Sequence, residues 1–400
     1  MKSAELQLRN GLACKYSRPD SALTIRSSRD RFAASAVHGN IVFCQGRKAV
    51  RLNSGVRPHE ATWRVLHYPG SSLIKAIIYR QYGSPEVLEL TDLVKPAPAR
   101  NELLIRVCAT TVSSADWRVR SLELPSGFRL LGRVALGIRR PRQPILGTEL
   151  AGEVEAVGSE VTTFKAGDRV FAFPGSRMGC YVEYRCIAAD GPVALKPVNL
   201  SYEQAAALSF GGSTMLDFFR RGALRRGERV LVNGASGAVG TAAVQLAKHF
   251  GAHVTGVCGT ANLQLVQSIG ADQVIDYTKD DFSRSRQTYD VIVDAAGTAP
   301  FSRSRRALSS GGRLLLVLAG LTDIIKAPWV GITNSRKVIA GPAAERPEYL
   351  HQLGQIAAAG EFTPVVDRCY PFEEMRTAHR YVDTGRKRGN VVVCIGCDAQ

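Results

Sequence analysis

Residues 232–240 read VNGASGAVG, and the fold turns on what this glycine-rich stretch joins. Before it lies the apolar run RVLVN at 229–233; after it lies TAAVQLAKHFGA, whose apolar residues recur at helical spacing. A buried strand that turns sharply into a helix leaves backbone N–H groups aimed outward at the positive end of the helix dipole, where a phosphate can sit. The dinucleotide pattern G-x-G-x-x-G is present with alanine in its first place, as Ala235, Gly237 and Gly240, and Gly234 precedes it. A second strand-like segment, HVTGVC, ends at Cys258, about 20 residues past the turn, as a nucleotide-binding βαβ unit requires. Gly237 lets the backbone approach a pyrophosphate and Gly240 lets helix and strand pack closely, with Ser236, Ala238 and Val239 completing the loop.

The same alternation continues downstream. ANLQLVQSIG reads as a helix, and QVIDY, YDVIVDAAG and RLLLVLAG read as strands separated by short glycine-bearing turns, which together specify a doubly wound parallel sheet. Sheets of this kind commonly carry an acid at the end of the second strand to accept from the ribose hydroxyls of NAD; here that stretch is CGTANL, with no acid from Gly259 to Leu263. Nothing there repels a 2′-phosphate. Thr260 offers a donor, and Tyr277 in VIDYTK lies at the end of the next strand, so the cofactor expected is NADPH (NADP).

Working back toward the N-terminus, KAIIYR, VLELTD, ELLIRVCATTVS, AGEVEAVG and DRVFAF are short strands punctuated by Gly, Pro and Asp, a compact β-rich domain. Residues 1–73 are Arg- and Ser-rich and poor in acids, without a sustained period, and read as an extension that is disordered, a targeting segment, or translated from a start codon placed too early. That extension carries +8 of the formal +17, so the rest of the chain is only mildly basic. Much of the remaining excess sits in FRLLGRVALGIRRPRQ, where no aromatic residues interleave with the arginines, so this stretch reads as a solvated basic face and nucleic acid is not expected as a partner. The nine cysteines are scattered, several inside apolar runs, which suits a reducing, cytoplasmic compartment. No apolar run is long enough for a membrane helix.

At this point the chain from about Ile74 to Ile395 resembles the medium-chain dehydrogenase/reductase superfamily, and within it the zinc-free quinone oxidoreductase group that includes zeta-crystallin. The resemblance rests on KAIIYRQYGSPEVLEL, PILGTELAGEVEAVGSEVTTFKAGDRVFAF, GERVLVNGASGAVGTAAVQLAK, GADQVIDYTKDDF, YDVIVDAAG and GRKRGNVVV. It implies an α/β protein with a GroES-like β-rich catalytic domain over 74–200 and 337–400, and a Rossmann cofactor-binding domain, a doubly wound parallel sheet, over 201–336. It also implies that SFGGSTMLDF, with Thr214, lies near the nicotinamide, and that Leu318 and Ala319 line its pocket.

Zinc-using relatives hold a catalytic metal with a Cys in a V-C-x-x-D-like segment and a His in a G-H-E segment. Here VSSAD (112–116) and GTE (147–149) put Ser113 and Thr148 at those places, and hydroxyls are poor zinc ligands, so no metal is expected. Without a metal, the oxygen of a quinone or enone must be polarised by hydrogen-bond donors. Ser113 and Thr148 can donate, and Asp116 can orient a neighbour. The function expected is zinc-independent hydride transfer from NAD(P)H to a quinone or α,β-unsaturated carbonyl. Two alternatives stay open: an enoyl-thioester reductase, disfavoured because RSLELPSG lacks the tyrosine donor of those enzymes, and a non-catalytic nucleotide-binding or regulatory protein. The resemblance leaves room for a homodimer.

Overall fold

The apolar runs that follow the glycine loop assemble as read. A computed structural model describes residues 72–396 apart from 334; the side chains of 331–334 are not described, and before residue 72 only the backbone pairing of short strands between Glu5 and Leu52 is assigned. The chain divides into two units, Met1–Leu73 and Ile74–Gln400. The expectation for residues 1–73 otherwise lies outside the described residues.

Within the second unit, six strands run parallel in the order Gln273–Asp276, His253–Cys258, Arg229–Asn233, Tyr289–Asp294, Leu308–Leu316, Lys337–Ile339. The order reverses direction between Arg229–Asn233 and Tyr289–Asp294, so a crevice opens beyond the carboxyl ends of those two strands. Val230, Leu231, Val232, Val291, Ile292 and Val293 are buried, because helices cover both faces and leave the central strands no solvent side. The last strand lies past the boundary expected at residue 336; Lys337–Ile339 extends the cofactor sheet rather than returning to the first domain, since it pairs in parallel with Leu308–Leu316.

The β-rich part forms a seven-stranded sheet around the ten-residue strand Glu102–Thr111. That strand pairs with Leu150–Val157, with Tyr184–Ala188 and with the terminal strand Asn390–Cys394, so the tail of the chain closes the first domain as expected. Val391, Val392 and Val393 are buried there. The helix Ser209–Arg221 packs on the helix Ala238–His249 at Gly211, where an added Cβ would lie 2.7 Å from the carbonyl of Ala238. One apolar core runs from Ala151 and Phe171 of the β-rich domain to Val232 of the parallel sheet and Val239 of the helix that follows it, and this continuity fixes the two domains on either side of the crevice.

The cysteines depart from an all-thiol chain. Cys180, Cys258, Cys369 and Cys394 are free thiols, whereas Cys108 is disulfide-bonded. No helix among the described residues is long and apolar enough to cross a membrane.

Candidate functional site

Asn233, Cys258, Asp276, Asp294 and Leu316 end their strands in register, so the loops that follow them form one rim of the sheet. Gly234 turns the chain at φ +81°, a conformation open to glycine, and the N–H groups of Gly234 and Ala235 both donate to Val257 O. Gly237 caps the helix Ala238–His249, and the buried Ala238 and Val239 form its first turn. At Gly240 an added Cβ would lie 2.0 Å from Gly234 O, so only glycine allows this helix to cross its strand so closely. At Gly237 the same atom would meet only Gly234 O, at 3.7 Å, which leaves the approach to the helix N-terminus open. Beside it, Asn262 donates to Ser236 Oγ at 3.2 Å while its own Oδ1 is buried without a partner. An open backbone cradle at a helix dipole, with an unpaired acceptor next to it, fits the pyrophosphate and adenosine of a dinucleotide.

Two groups at this rim carry no signal in the glycine pattern. Asp294 is buried at the end of its strand, accepts from Asn233 Nδ2 at 2.8 Å, and accepts from the N–H groups of Ala296, Gly297, Thr298 and Ala299. It thereby shapes the loop against which Leu318 packs, since a Cβ at Gly297 would lie 3.4 Å from Leu318 Cβ. Lys387 reaches in from the β-rich domain: its Nζ donates to Gly389 O at 2.6 Å, and Gly389 N donates to Ser236 O at 2.8 Å. Burial lowers this ammonium to about 8. The segment GRKRGNVVV was legible as a family marker but not as a cation set beside the phosphate loop.

The ribose end differs from the sequence expectation. Thr260 Oγ1 does not stand free: it donates to Asp276 Oδ2 at 2.6 Å, and Thr278 Oγ1 donates to Asp276 Oδ1 at 2.7 Å. These hydroxyl bonds, the one from Thr260 largest, hold the Asp276 carboxyl below its usual range. A carboxylate is thus present at this corner, supplied by the third strand instead of the second. Tyr277 is 63 % exposed and lies against Gly259, where a Cβ would come 3.3 Å from its hydroxyl.

Across the crevice, Ser113 opens the helix Ser114–Ser121 through a capping box with Asp116. Ser113 Oγ donates to Asp116 Oδ2 at 2.6 Å, Gly147 N donates to Oδ1 at 2.9 Å, and Asp116 is fully buried. Gly147 holds φ +95° against Tyr181 and Cys180, which turns Thr148 inward. Thr148 Oγ1 and Ser113 Oγ come to 3.5 Å, so the two hydroxyls named from sequence do meet. Desolvation dominates the titration of the two acids beneath them, pushing Asp116 up to about 6 and Glu149 up to about 8. Glu149 accepts from Thr111 Oγ1 and from Phe210 N, both at 2.6 Å, and so joins the β-rich domain to the helix Ser209–Arg221. Thr214, one turn further along that helix, is half-buried and donates to Phe210 O. Two hydroxyls and two committed carboxyls do not make the N/S donor set of a tight zinc site.

A 390 Å³ cavity lies at the end of the fifth strand, lined by Val317, Ala319, Ile324, Phe128, Leu131 and Ala135 among others, none of them charged. Leu131 and Ala135 belong to the helix Arg129–Leu136. Within the stretch read as a basic face, Phe128, Leu131 and Ala135 line the cavity, while Leu130, Val134 and Ile138 are exposed along with Arg139 and Arg140.

The description "Alcohol dehydrogenase GroES-like domain" matches residues 99–197, and "Zinc-binding dehydrogenase" matches 269–393. The 2-methylene-furan-3-one reductase of Solanum lycopersicum is 32% identical over 334 residues, covering 80% of this chain and 79% of that protein. The quinone oxidoreductase of Sus scrofa is 32% identical over 323 residues, 78% of this chain and 94% of its own. The chain belongs to the medium-chain dehydrogenase/reductase superfamily, in its zeta-crystallin-like quinone oxidoreductase group. The structure of the quinone oxidoreductase from Coxiella burnetii superposes with a TM-score of 0.71 at 29% identity, covering 81% of this chain and all of that one. As a member of that superfamily the chain is an oxidoreductase that uses a nicotinamide cofactor.

Proposed function

We propose that this member of the superfamily is a zinc-independent, NADPH-preferring reductase of quinones or α,β-unsaturated carbonyl compounds. The observation that carries the reading is the uncharged cavity lined by Ala319, which with Leu318 was expected to line the nicotinamide pocket, and by its neighbour Val317; Leu318 itself lies outside the lining. A flat apolar carbonyl compound fits such walls; a charged one would be desolvated there without a partner. The names of the tomato and pig relatives, a furanone reductase and a quinone oxidoreductase, support the same substrate class.

When bound, the nicotinamide supplies the hydride. The chain's own part is to orient the substrate and to meet the charge that develops on its oxygen. Ser113 has its proton committed to Asp116, so Thr148 Oγ1, whose sole hydrogen-bonding neighbour among the described residues is Ser113 at 3.5 Å, is the hydroxyl left to donate. Ser113 and Asp116 act as its positioning partners. The proton that completes reduction comes from solvent. At the pyrophosphate, the helix N-terminus at Gly237 and the Lys387 ammonium hold the negative charge.

The test is NADPH consumption by the full chain with a benzoquinone, an alkyl enone, an aldehyde and a crotonyl thioester, before and after treatment with a chelator. Turnover of the quinone or enone that survives chelation is expected. Turnover of the thioester alone would favour an enoyl-thioester reductase. Cofactor binding without consumption would favour a non-catalytic nucleotide-binding role, and activity lost with one tightly held zinc would remove the zinc-independent reading.

A further inference from the structure

The opposite rim of the parallel sheet carries a second feature, independent of the substrate reading above. Tyr289, Leu308 and Lys337 stand at or near the amino ends of the fourth, fifth and sixth strands, and the segments that lead into them converge on a cleft of 680 Å³. It is lined by Ser283, Arg284, Ser302, Arg303, Arg305, Arg306 and Arg336. Five arginines line one space, and no acid is among its lining residues.

Two of the five are fixed in place. Arg303 donates to Thr298 O at 2.9 Å and to Asp281 Oδ1 at 3.1 Å, and it lies over the Phe282 ring. Arg336 donates through Nε and one Nη to Leu308 O at 3.0 Å. Arg284 reaches the same Asp281 only at 3.8 Å. Arg305 and Arg306 are exposed and make no side-chain hydrogen bond or ion pair among the described residues. One carboxylate, Asp281, therefore meets two of the five cations, Arg303 and Arg284. Like charges held this close repel, and a bound anion removes that repulsion while using the planar donor forks that guanidinium presents to phosphate.

We propose that this cleft is a binding site for a small anion bearing two or more phosphate groups, separate from the cofactor crevice. The volume suits a ligand of nucleotide size. Phosphates are favoured over a dicarboxylate because five cations call for more than two negative charges. A single-stranded nucleic acid is disfavoured because no aromatic side chain lines the cleft to stack a base. Separation from the cofactor follows from topology: the glycine loop leaves the carboxyl end of Arg229–Asn233, and the cleft lies at the amino ends, one strand length of roughly 20 Å away.

The experiment is calorimetric titration of the full chain with inorganic tripolyphosphate, alone and saturated with NADPH, for wild type, Arg305→Ala/Arg306→Ala and Arg139→Ala/Arg140→Ala. The last variant removes the same net charge from an exposed stretch elsewhere. One equivalent should bind in both cofactor states, weaken as salt rises, and lose about tenfold or more in affinity in Arg305→Ala/Arg306→Ala. The Arg139→Ala/Arg140→Ala variant should stay within about twofold of wild type. NADPH affinity serves as the check that each variant is folded. No binding, displacement by NADPH, or equal weakening in both variants would overturn the site. A single-stranded oligonucleotide that binds more tightly than tripolyphosphate through Arg305 and Arg306 would overturn its assignment to a small anion.

Discussion

The glycine loop at 234–240 and the hydroxyl and acid cluster at 113–149 face each other across one crevice, yet they are built on opposite principles. The loop works through what it lacks: no side chain stands at Gly237, none fits at Gly240, and its functional groups are backbone N–H dipoles. The cluster works through what it contains, a buried set of side chains in which Ser113, Asp116, Thr111 and Glu149 occupy one another's hydrogen-bonding capacity. A backbone site is specified by local sequence. A side-chain cluster is specified by contacts between distant segments, and its chemistry depends on which protons are already committed.

The two glycines of the loop should separate sharply. Gly240→Val puts side-chain atoms where even a Cβ lies 2.0 Å from Gly234 O and 2.8 Å from Ala235 Cα, so helix and strand must part. A loss of about 3 kcal/mol or more in stability is expected, read as a lowered denaturant midpoint or as failure to fold. Gly237→Val meets nothing that close and should remain folded, with its melting temperature within about 3 °C of wild type. Its cofactor dissociation constant should rise on the order of a hundredfold, because the added methyl groups enter the space a pyrophosphate needs. Equal destabilisation by the two substitutions would erase the distinction between a packing glycine and a ligand-approach glycine.

On the other wall, Thr148→Val should lower kcat by about a hundredfold while the cofactor dissociation constant stays within about twofold, since a lost donor to a developing oxyanion acts in the transition state. Ser113→Ala should cost less in rate but about 1 kcal/mol in stability, through loss of its helix cap. If Ser113→Ala proves the more damaging to kcat, the roles of the two hydroxyls are reversed.

The buried Glu149 provides a pH test. Its folded carboxyl titrates at about 8 against an ordinary value of 4.5, so between those values the folded chain keeps a proton that the unfolded chain releases. Its stabilising contribution is complete below about 4.5 and is lost as pH rises toward 8. Asp116, raised to about 6, acts in the same direction at lower pH, and the buried neutral His379 acts oppositely below its ordinary 6.5. Lys387, lowered to about 8, acts oppositely as pH nears 8, so the interval from pH 7 to 7.5, above the ordinary histidine value and short of that of Lys387, is where Glu149 weighs most. Wild-type stability should fall across it, and Glu149→Gln should flatten the profile, as followed by urea midpoints. A wild-type profile already flat there would mean that the bonds from Thr111 and Phe210 N outweigh desolvation and keep the carboxylate ionised.

These contrasts also explain what was legible. The strand, glycine turn and helix at 229–249, and the return of NVVVC to the first sheet, could be read because apolar periodicity and glycine placement are local. VSSAD and GTE put Ser113 and Thr148 only at the places of two zinc ligands in relatives; the 3.5 Å between their hydroxyls is read from the fold. Glu149 was passed over as the last letter of GTE because its burial depends on Thr111 and on the helix beginning at Ser209. Phe128, Leu131 and Ala135 were obscured by the arginines among them; only the fold shows which side of their helix meets Val317 and Ala319. The boundary at 336 fell short because a three-residue strand carries too little periodicity to announce itself.

The smallest expected effect concerns the cofactor's ribose, where the backbone and side-chain modes meet. The turn Gly259–Leu263 holds no acid, which favours NADPH, and Tyr277 offers an exposed hydroxyl. Against this, Asp276 lies bonded to Thr260 and Thr278 and stays ionised, so a 2′-phosphate approaches a corner that already carries negative charge. The hydroxyl of Thr260 is also pointed at that carboxylate rather than at the ligand. Lys279, close enough to interact with Asp276, offsets part of the repulsion. The preference for NADPH over NADH should therefore be on the order of tenfold or less, smaller at low salt, where Asp276 is least screened, if its repulsion exceeds the attraction of Lys279. Asp276→Asn should raise the preference by roughly fivefold, the range of one exposed charge interaction, and Tyr277→Phe should reduce it by about the same factor. Dissociation constants for both cofactors at two salt concentrations measure each change. An Asp276→Asn variant that gains NADH affinity as much as NADPH affinity would mean that the carboxylate acts on the shared pyrophosphate, and the ribose corner would then carry no discrimination.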